Sequence, residues 1–264
     1  MASLLVLQPR YIPLYTPEGV ELAEINYVHR HLDWELPLEQ VALVCLDVWA
    51  NHFSRDTLER VDSITTDRIA PLVNLAREKG LTVIHAPGPL LAGREKNRVQ
   101  LLPMGSKPQP TWPDSPLWPP QDFRDKTGDF QQFERPFKKD AEDRDRWRLT
   151  GRQYHPAVLP QEGEPIIANG EELHRLCAQR EILVLLYVGF NANFCMVNRD
   201  YGLYEMNKRG YEIVLLRDCT TGMETAETAD SQACTVGHIE TFEQAGISTL
   251  TARELTQSLA ELRD

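Results

Sequence analysis

The stretch ILVLLYVGFNANFCMVNRDYGLYEMNKRGYEIVLLRD, residues Ile182 to Asp218, decides the fold. Leu183 to Val188 is apolar throughout, as a central parallel strand buried on both faces should be. Gly189 to Phe194 is a tight turn, and Cys195 opens a helix predicted to run to a stop at Gly210. Glu212 to Leu216 reads as the next strand. A cysteine at a strand-to-helix corner sits where unpaired N–H groups and the positive end of the helix dipole favour a thiolate. Cys195 is therefore the candidate nucleophile. A free cysteine beside a strand is otherwise a packing residue, so the chemical reading needs a second motif.

That motif is VALVCLDVWANHF, Val41 to Phe53, an apolar strand whose carboxyl end carries Asp47. In open α/β sheets the ligand crevice lies outside the carboxyl ends of the strands, which brings Asp47 and Cys195 to one place. Between the two motifs, Thr65 to Lys79 places Ile69, Leu72, Val73 and Ala76 at helical spacing and stops at Gly80. It leads into a strand, Leu81 to His85. This β-α-β order demands a parallel pair. Further on, Glu164 to Ala168 reads as a short strand, Glu171 to Gln179 and Thr225 to Ala245 as helices, Ile247 to Leu250 as a last strand and Thr251 to Leu262 as a closing helix. In the helix after Cys195, Val197, Tyr201 and Tyr204 are expected to face the core; in Thr225 to Ala245, Ala229, Ala233 and Val236 fall in line. Asp218 reads as a cap or turn residue. The expected fold is a three-layer α-β-α sandwich with a mostly parallel sheet.

These motifs resemble the isochorismatase-like cysteine hydrolases, a family that includes nicotinamidases and related amidohydrolases. The matching residues are Asp47 at the end of its strand, Gly189-Phe190-Asn191-Ala192-Asn193-Phe194-Cys195, then Gly210-Tyr211 and Asp218. The resemblance covers about Val41 to Leu250 and is most specific at the cysteine segment. It implies a Cys195 thioester with Asp47 as general base. It also implies a cis Phe190–Asn191 peptide, with backbone N–H groups around Phe194 and Cys195 forming an oxyanion hole.

The chain departs from the family's pattern in two places. No lysine occurs from Asp140 to Asn207, and Asn169 stands near the expected lysine position. Some other cation must then serve Cys195, with Lys138, Lys139, Arg152 and His155 as candidates. After Asp47 the segment WANHF puts Trp49 where a polar residue is common. Trp49, His52, His85 and Asn169 are candidate pocket residues. Some relatives hold a divalent metal through an Asp and two histidines; His52 and His85 lie in roughly those regions, but without an Asp-x-His and with too few ligands for a zinc site, so no metal is expected. His155, His174 and His238 have no usable partner spacing, and His29 and His31 lie near the N-terminus.

Composition bounds the rest. A net charge of −11 argues against nucleic acid or an anionic membrane as partner. The five cysteines form no C-x-x-C pair, and Cys45, Cys177 and Cys219 lie in or beside apolar runs, so free thiols in a reducing cytoplasm are expected. No targeting or membrane-spanning segment is predicted. Neither a Gly-rich phosphate loop nor a G-x-S-x-G elbow is present; a small-molecule substrate without a cofactor is expected. Residues 1–40, with Pro9, Pro13, Pro17 and Pro37, read as an extended arm lying on the body or on a neighbouring subunit. Residues 41–264 form the hydrolase domain. Within it, about residues 86–160 hold most of the 18 prolines together with Trp112, Trp118 and Trp147, and form an insertion that is a lid, an oligomer contact or a solvated loop. A homo-oligomer, dimer or tetramer, is expected.

Three functional readings follow. The first is cleavage of a small amide-type C–N bond by Cys195 and Asp47. The second is isochorismatase-type vinyl-ether hydrolysis with Asp47 as acid and the cysteine dispensable. The third is a catalytically silent binding or scaffold protein.

Overall fold

The computed structural model describes residues 3–96, 98–99, 120–134 and 152–262. The chain divides into two compact units, Met1–Leu101 with Gly151–Asp264, and Leu102–Thr150. In the second unit the described residues form a helical turn, Gln121–Asp125, and a 3-10 turn, Gly128–Phe133. Phe123 packs against Phe130 and Phe133 at centroid distances of 5.1 and 5.5 Å, and the Lys126 ammonium lies 3.6 Å from the Phe123 ring centre. Trp112, Trp118, Trp147, Lys138 and Lys139 lie outside the described residues.

The first unit is built on a seven-stranded sheet. The nine strands are β1 (Leu4–Leu7), β2 (Arg10–Tyr11), β3 (Arg30–His31), β4 (Trp34–Pro37), β5 (Val41–Leu46), β6 (Thr82–Ala86), β7 (Val184–Gly189), β8 (Glu212–Leu216) and β9 (Ser248–Leu250). Their order in the main sheet is β3-β2-β9-β8-β7-β5-β6, and β1 pairs with β4 in a separate ribbon. The run β9-β8-β7-β5-β6 is parallel, while β2 and β3 join its edge antiparallel. Every residue of β5 and β7 is buried, which is why their sequences are apolar without alternation. Two hydrophobic clusters cover the two faces: Leu43, Val83, Leu186 and Val214 pack in one, and Val44, Ile84, Leu185 and Leu215 in the other. Helices α1 (Arg55–Ile64), α2 (Ala70–Glu78), α3 (Gly170–Arg180), α4 (Cys195–Asn198), α5 (Leu203–Lys208), α6 (Ala233–Gln244) and α7 (Ala252–Ala260) complete the sandwich. None of the helices among the described residues is long and apolar enough to cross a membrane.

Three sequence expectations are corrected. The helix predicted from Thr65 begins at Arg55, because Ser54 caps it by accepting the Thr57 N–H; it continues through a π turn, Thr65–Ile69, into α2. Glu164 to Ala168 is not a strand. Only Ile166 bridges, to His85 and Arg98. The helix expected over Thr225 to Ala245 starts at Ala233, since the Glu224 carboxylate takes the Cys234 and Thr235 N–H groups at 3.0 Å each; Val236 is exposed. Within residues 1–40, Arg10 Nε pairs at 2.8 Å with the fully buried Glu243, and Arg10 registers with both His31 and Thr249, so β2 lies in the main sheet between β3 and β9.

Sheet register sets the site. Leu46 lies opposite both Ala86 and Gly189, so the carboxyl ends of β5, β6 and β7 are level. Gly189 has φ +124°, and a Cβ there would stand 1.8 Å from the Leu46 carbonyl oxygen. Gly189→Ala is accordingly expected to cost at least about 3 kcal/mol, or to give no folded protein, in chemical denaturation; a wild-type midpoint would refute this packing.

Candidate active site

Asp47 follows the last residue of β5. It is fully buried and has a left-handed backbone at φ +49°, and its N–H donates to the Ala86 carbonyl at 2.9 Å. Two guanidinium groups hold its carboxylate. Arg199 donates to Oδ2 through Nη2 at 2.8 Å and Nε at 3.1 Å, and Arg152 Nη1 reaches Oδ1 at 3.3 Å. Gly88, at φ +89°, lies against this cluster: a Cβ would come within 2.9 Å of both Asp47 Oδ1 and Arg152 Nη1.

Arg152 arrives on the chain segment that returns to this unit. That segment runs antiparallel beside the residues after Asp47, with Ala50 N–H on the Gln153 carbonyl, His155 N–H on the Val48 carbonyl, and Trp49 bridging Tyr154. Arg199 arrives from the break after α4. The predicted helix to Gly210 is interrupted there, because Arg199 is extended (ψ 142°) and Gly202 packs so closely that a Cβ would lie 2.5 Å from the Met196 carbonyl oxygen. In consequence Met196, Tyr201, Leu203 and Met206 are buried, while Val197 and Tyr204 are only partly so.

Cys195 is half-buried beside Asp47. Burial, followed by the Asp47 carboxylate, pushes the thiol up to about 12 against the opposing pull of Arg199 and Arg152. The thiol is protonated at neutral pH. The thiolate expected from a helix N-terminus is not the resting state, since α4 has four residues and little dipole to offer. For Arg199, burial works against the charge, but the Asp47 carboxylate outweighs it and raises the guanidinium further. Arg199 is a permanent cation.

The Phe190–Asn191 peptide is cis. Phe190 is buried, its N–H on the Leu46 carbonyl at 3.0 Å and its ring 5.8 Å from that of Trp49. Asn191 is buried, and its carbonyl accepts the Phe194 and Met196 N–H groups at 3.1 Å each. The Phe194 N–H is thus committed to the turn. The Cys195 N–H between them meets no backbone acceptor among the described residues. The Phe194 side chain is exposed.

The pocket candidates separate. Trp49 is buried, and His52 stacks on it at 4.9 Å and on Phe53 at 4.2 Å, so these rings form one wall next to Phe190. His85 instead joins a charged group on Glu164, which it meets at 2.8 Å while Arg77 Nε meets the same carboxylate at 2.7 Å. Asn169 caps α3 by accepting the Glu172 N–H at 2.8 Å, a local role that explains an Asn at that position. His155 pairs with Asp62 at 2.9 Å rather than with the Asp47 cluster. Asp218 accepts the Ala252 N–H at 2.8 Å at the start of α7, in keeping with a cap. Among the described residues no group of three or more His, Cys, Asp or Glu is placed to hold a metal ion.

Glu164 supplies a pH dependence. Burial alone would raise it, but hydrogen bonds from His85, Arg77 and the Gln161 N–H pull it from 4.5 down to about 2. A depressed acid contributes stability that is present above its unfolded value and lost as pH falls through the folded one. Between pH 4.5 and about 2 the denaturation midpoint is therefore expected to fall, with Glu164→Gln flattening that limb; a limb unchanged by the substitution would remove Glu164 as its source.

Fold and site together define an α/β protein with a thiol, a buried carboxylate and two guanidinium groups gathered at the level carboxyl ends of its central strands. No protein-family model matches the sequence, and no curated protein does. Among solved structures the chain is similar to a cysteine hydrolase from Pseudomonas syringae pv. phaseolicola 1448A, at 16% identity and a TM-score of 0.49, over 86% of this chain and 95% of that one. An isochorismatase family protein from Desulfovibrio vulgaris is similar at 18% identity and TM-score 0.47, over 84% and 99% of the two chains. Another, from Burkholderia thailandensis, is similar at 18% and 0.47, over 84% and 96%.

Proposed function

We propose that this chain is an isochorismatase-like cysteine hydrolase that cleaves a small amide-type C–N bond, with Arg199 in the place of the family lysine. The observation that carries the reading is the Asp47 carboxylate, fully buried, lying beside the Cys195 thiol and held by Arg199 at 2.8 and 3.1 Å. Asp47 takes the thiol proton as sulfur attacks the carbonyl carbon, and the S–C bond forms as the C=O π electrons move to oxygen. The Cys195 N–H faces that oxyanion. The tetrahedral species collapses, the C–N bond breaks, and the proton held by Asp47 passes to the leaving nitrogen. Water, deprotonated by Asp47, then cleaves the thioester and restores the thiol.

A nucleophile whose resting thiol is protonated suits this scheme, because the base needed to ionise it is in contact with it. The ion pairs are made with Asp47 as an anion, the proton-accepting form, whereas vinyl-ether hydrolysis needs it as an acid. The site contains the elements of a reactive centre, which weighs against a silent scaffold. The test is a screen of small primary and secondary amides for released ammonia or amine, with mass spectrometry of the Cys195 peptide. An acyl adduct on Cys195 is expected. Turnover without an adduct, undiminished in Cys195→Ala, would instead establish the acid-only reaction.

A further inference from the structure

Beyond Asp47 and the arginines, the turn that carries Cys195 is fastened on its other side. The loop after β8 runs alongside it: the Gly189 N–H donates to the Cys219 carbonyl at 3.0 Å, and the Ala192 N–H to the Thr221 carbonyl at 3.0 Å. The backbone rungs stop there. The next rung is made by a side chain, the Asn193 amide, whose Nδ2 donates to the Met223 carbonyl and whose Oδ1 accepts the Met223 N–H, both at 2.9 Å. A primary amide offers one donor and one acceptor side by side, so it pairs with a single residue's backbone as another strand would.

The loop that receives Asn193 is itself fixed. Arg60 on α1 donates to Thr221 Oγ1 and to the Gly222 carbonyl, at 3.1 Å each. Thr235 Oγ1 accepts the Gly222 N–H at 2.8 Å, and Glu224 accepts the Thr235 hydroxyl at 2.6 Å. A Cβ on Gly222 would come within 3.1 Å of Asn193 Oδ1, so the amide is in close contact with that backbone. Thus the residue two places before Cys195 is tied to a braced loop.

We infer that Asn193 is a positioning residue, which holds the Cys195 turn against Asp47 by extending the pairing of that turn to the loop at Met223, with Arg60 bracing the loop from behind. The inference rests on Cys195 being the reactive group. Its readout is the thiol itself, so a failure to find an amide substrate would leave it intact.

The experiment is iodoacetamide labelling of the full chain across pH, quantified on the Cys195 peptide, in wild type and Asn193→Ala, with folding checked by circular dichroism. In the wild type, labelling is expected to be slow at neutral pH. Releasing the turn from Asp47 is expected to move the labelling midpoint down by at least one pH unit and to raise the rate at pH 8 about tenfold, toward an ordinary thiol near 8.5. Asn193→Gln, which keeps the amide, should recover part of the wild-type profile. Where Asn193→Ala does not fold, Arg60→Ala decides, with the same direction of shift. A folded Asn193→Ala, or in its absence a folded Arg60→Ala, whose profile overlays the wild type would overturn the inference.

Discussion

Replacing Cys195 with alanine, or Asp47 with asparagine, lowers turnover of a small amide by at least about 10³-fold in the proposed mechanism, since each removes a group that makes or breaks a bond. The two variants differ in what else they disturb. Cys195 is only half-buried, so Cys195→Ala should keep the wild-type stability to within about 1 kcal/mol. Asp47→Asn also strips the anion from two guanidinium groups and should be measurably less stable, so its loss of turnover must be read on protein shown to be folded. The double variant should be no slower than the worse of the single ones, because residues acting on one step are not additive. Full activity in a folded Cys195→Ala protein would dismiss the thioester.

Arg199→Ala carries a large expected effect on stability. Asp47 has no exposed surface, and Arg199 supplies both contacts to Oδ2. Removing one partner of a buried ion pair typically costs about 3–5 kcal/mol, because the remaining charge is left without compensation. Arg152 stays on Oδ1 at 3.3 Å, which places the expected loss toward the lower end of that range. Arg199→Lys should recover part of it: an ammonium restores the charge but cannot place two donors on one oxygen in the guanidinium plane. The measurement is urea denaturation at neutral pH. Combining Arg199→Gln with Asp47→Asn should cost less than the sum of the two single changes, the coupling expected of residues in contact. Additive costs would mean that the pair does not hold the site together.

Much of this was legible in the sequence, for identifiable reasons. Strands β5, β7 and β8 announce themselves because central parallel strands are buried on both faces, so their composition carries the signal without any partner being known. Asp47 and Cys195 could be placed at strand ends because a strand's carboxyl end is a fixed place in an open α/β sheet, and Gly189 in the tight turn that follows β7. Of the two arginines on Asp47, Arg152 stood among the cations named from the sequence and Arg199 did not. Arg199 lies one helical turn beyond Cys195, and that spacing was available as a signal. Read within an unbroken helix, however, an arginine at that position is indistinguishable from a solvated one.

What the linear chain determined by itself is therefore the ladder of buried strands, the acid and the thiol at their ends, and the glycine between them. Each depends on local burial or local backbone geometry. Tertiary structure alone decided which charges meet. Arg152 and Asp47 are 105 residues apart, Arg10 and Glu243 are 233 apart, and β2 joins the main sheet only because β9 is there to receive it. An arginine's sequence neighbours say nothing about which buried carboxylate it will reach, because the energy that selects the pair arises only once both are withdrawn from water.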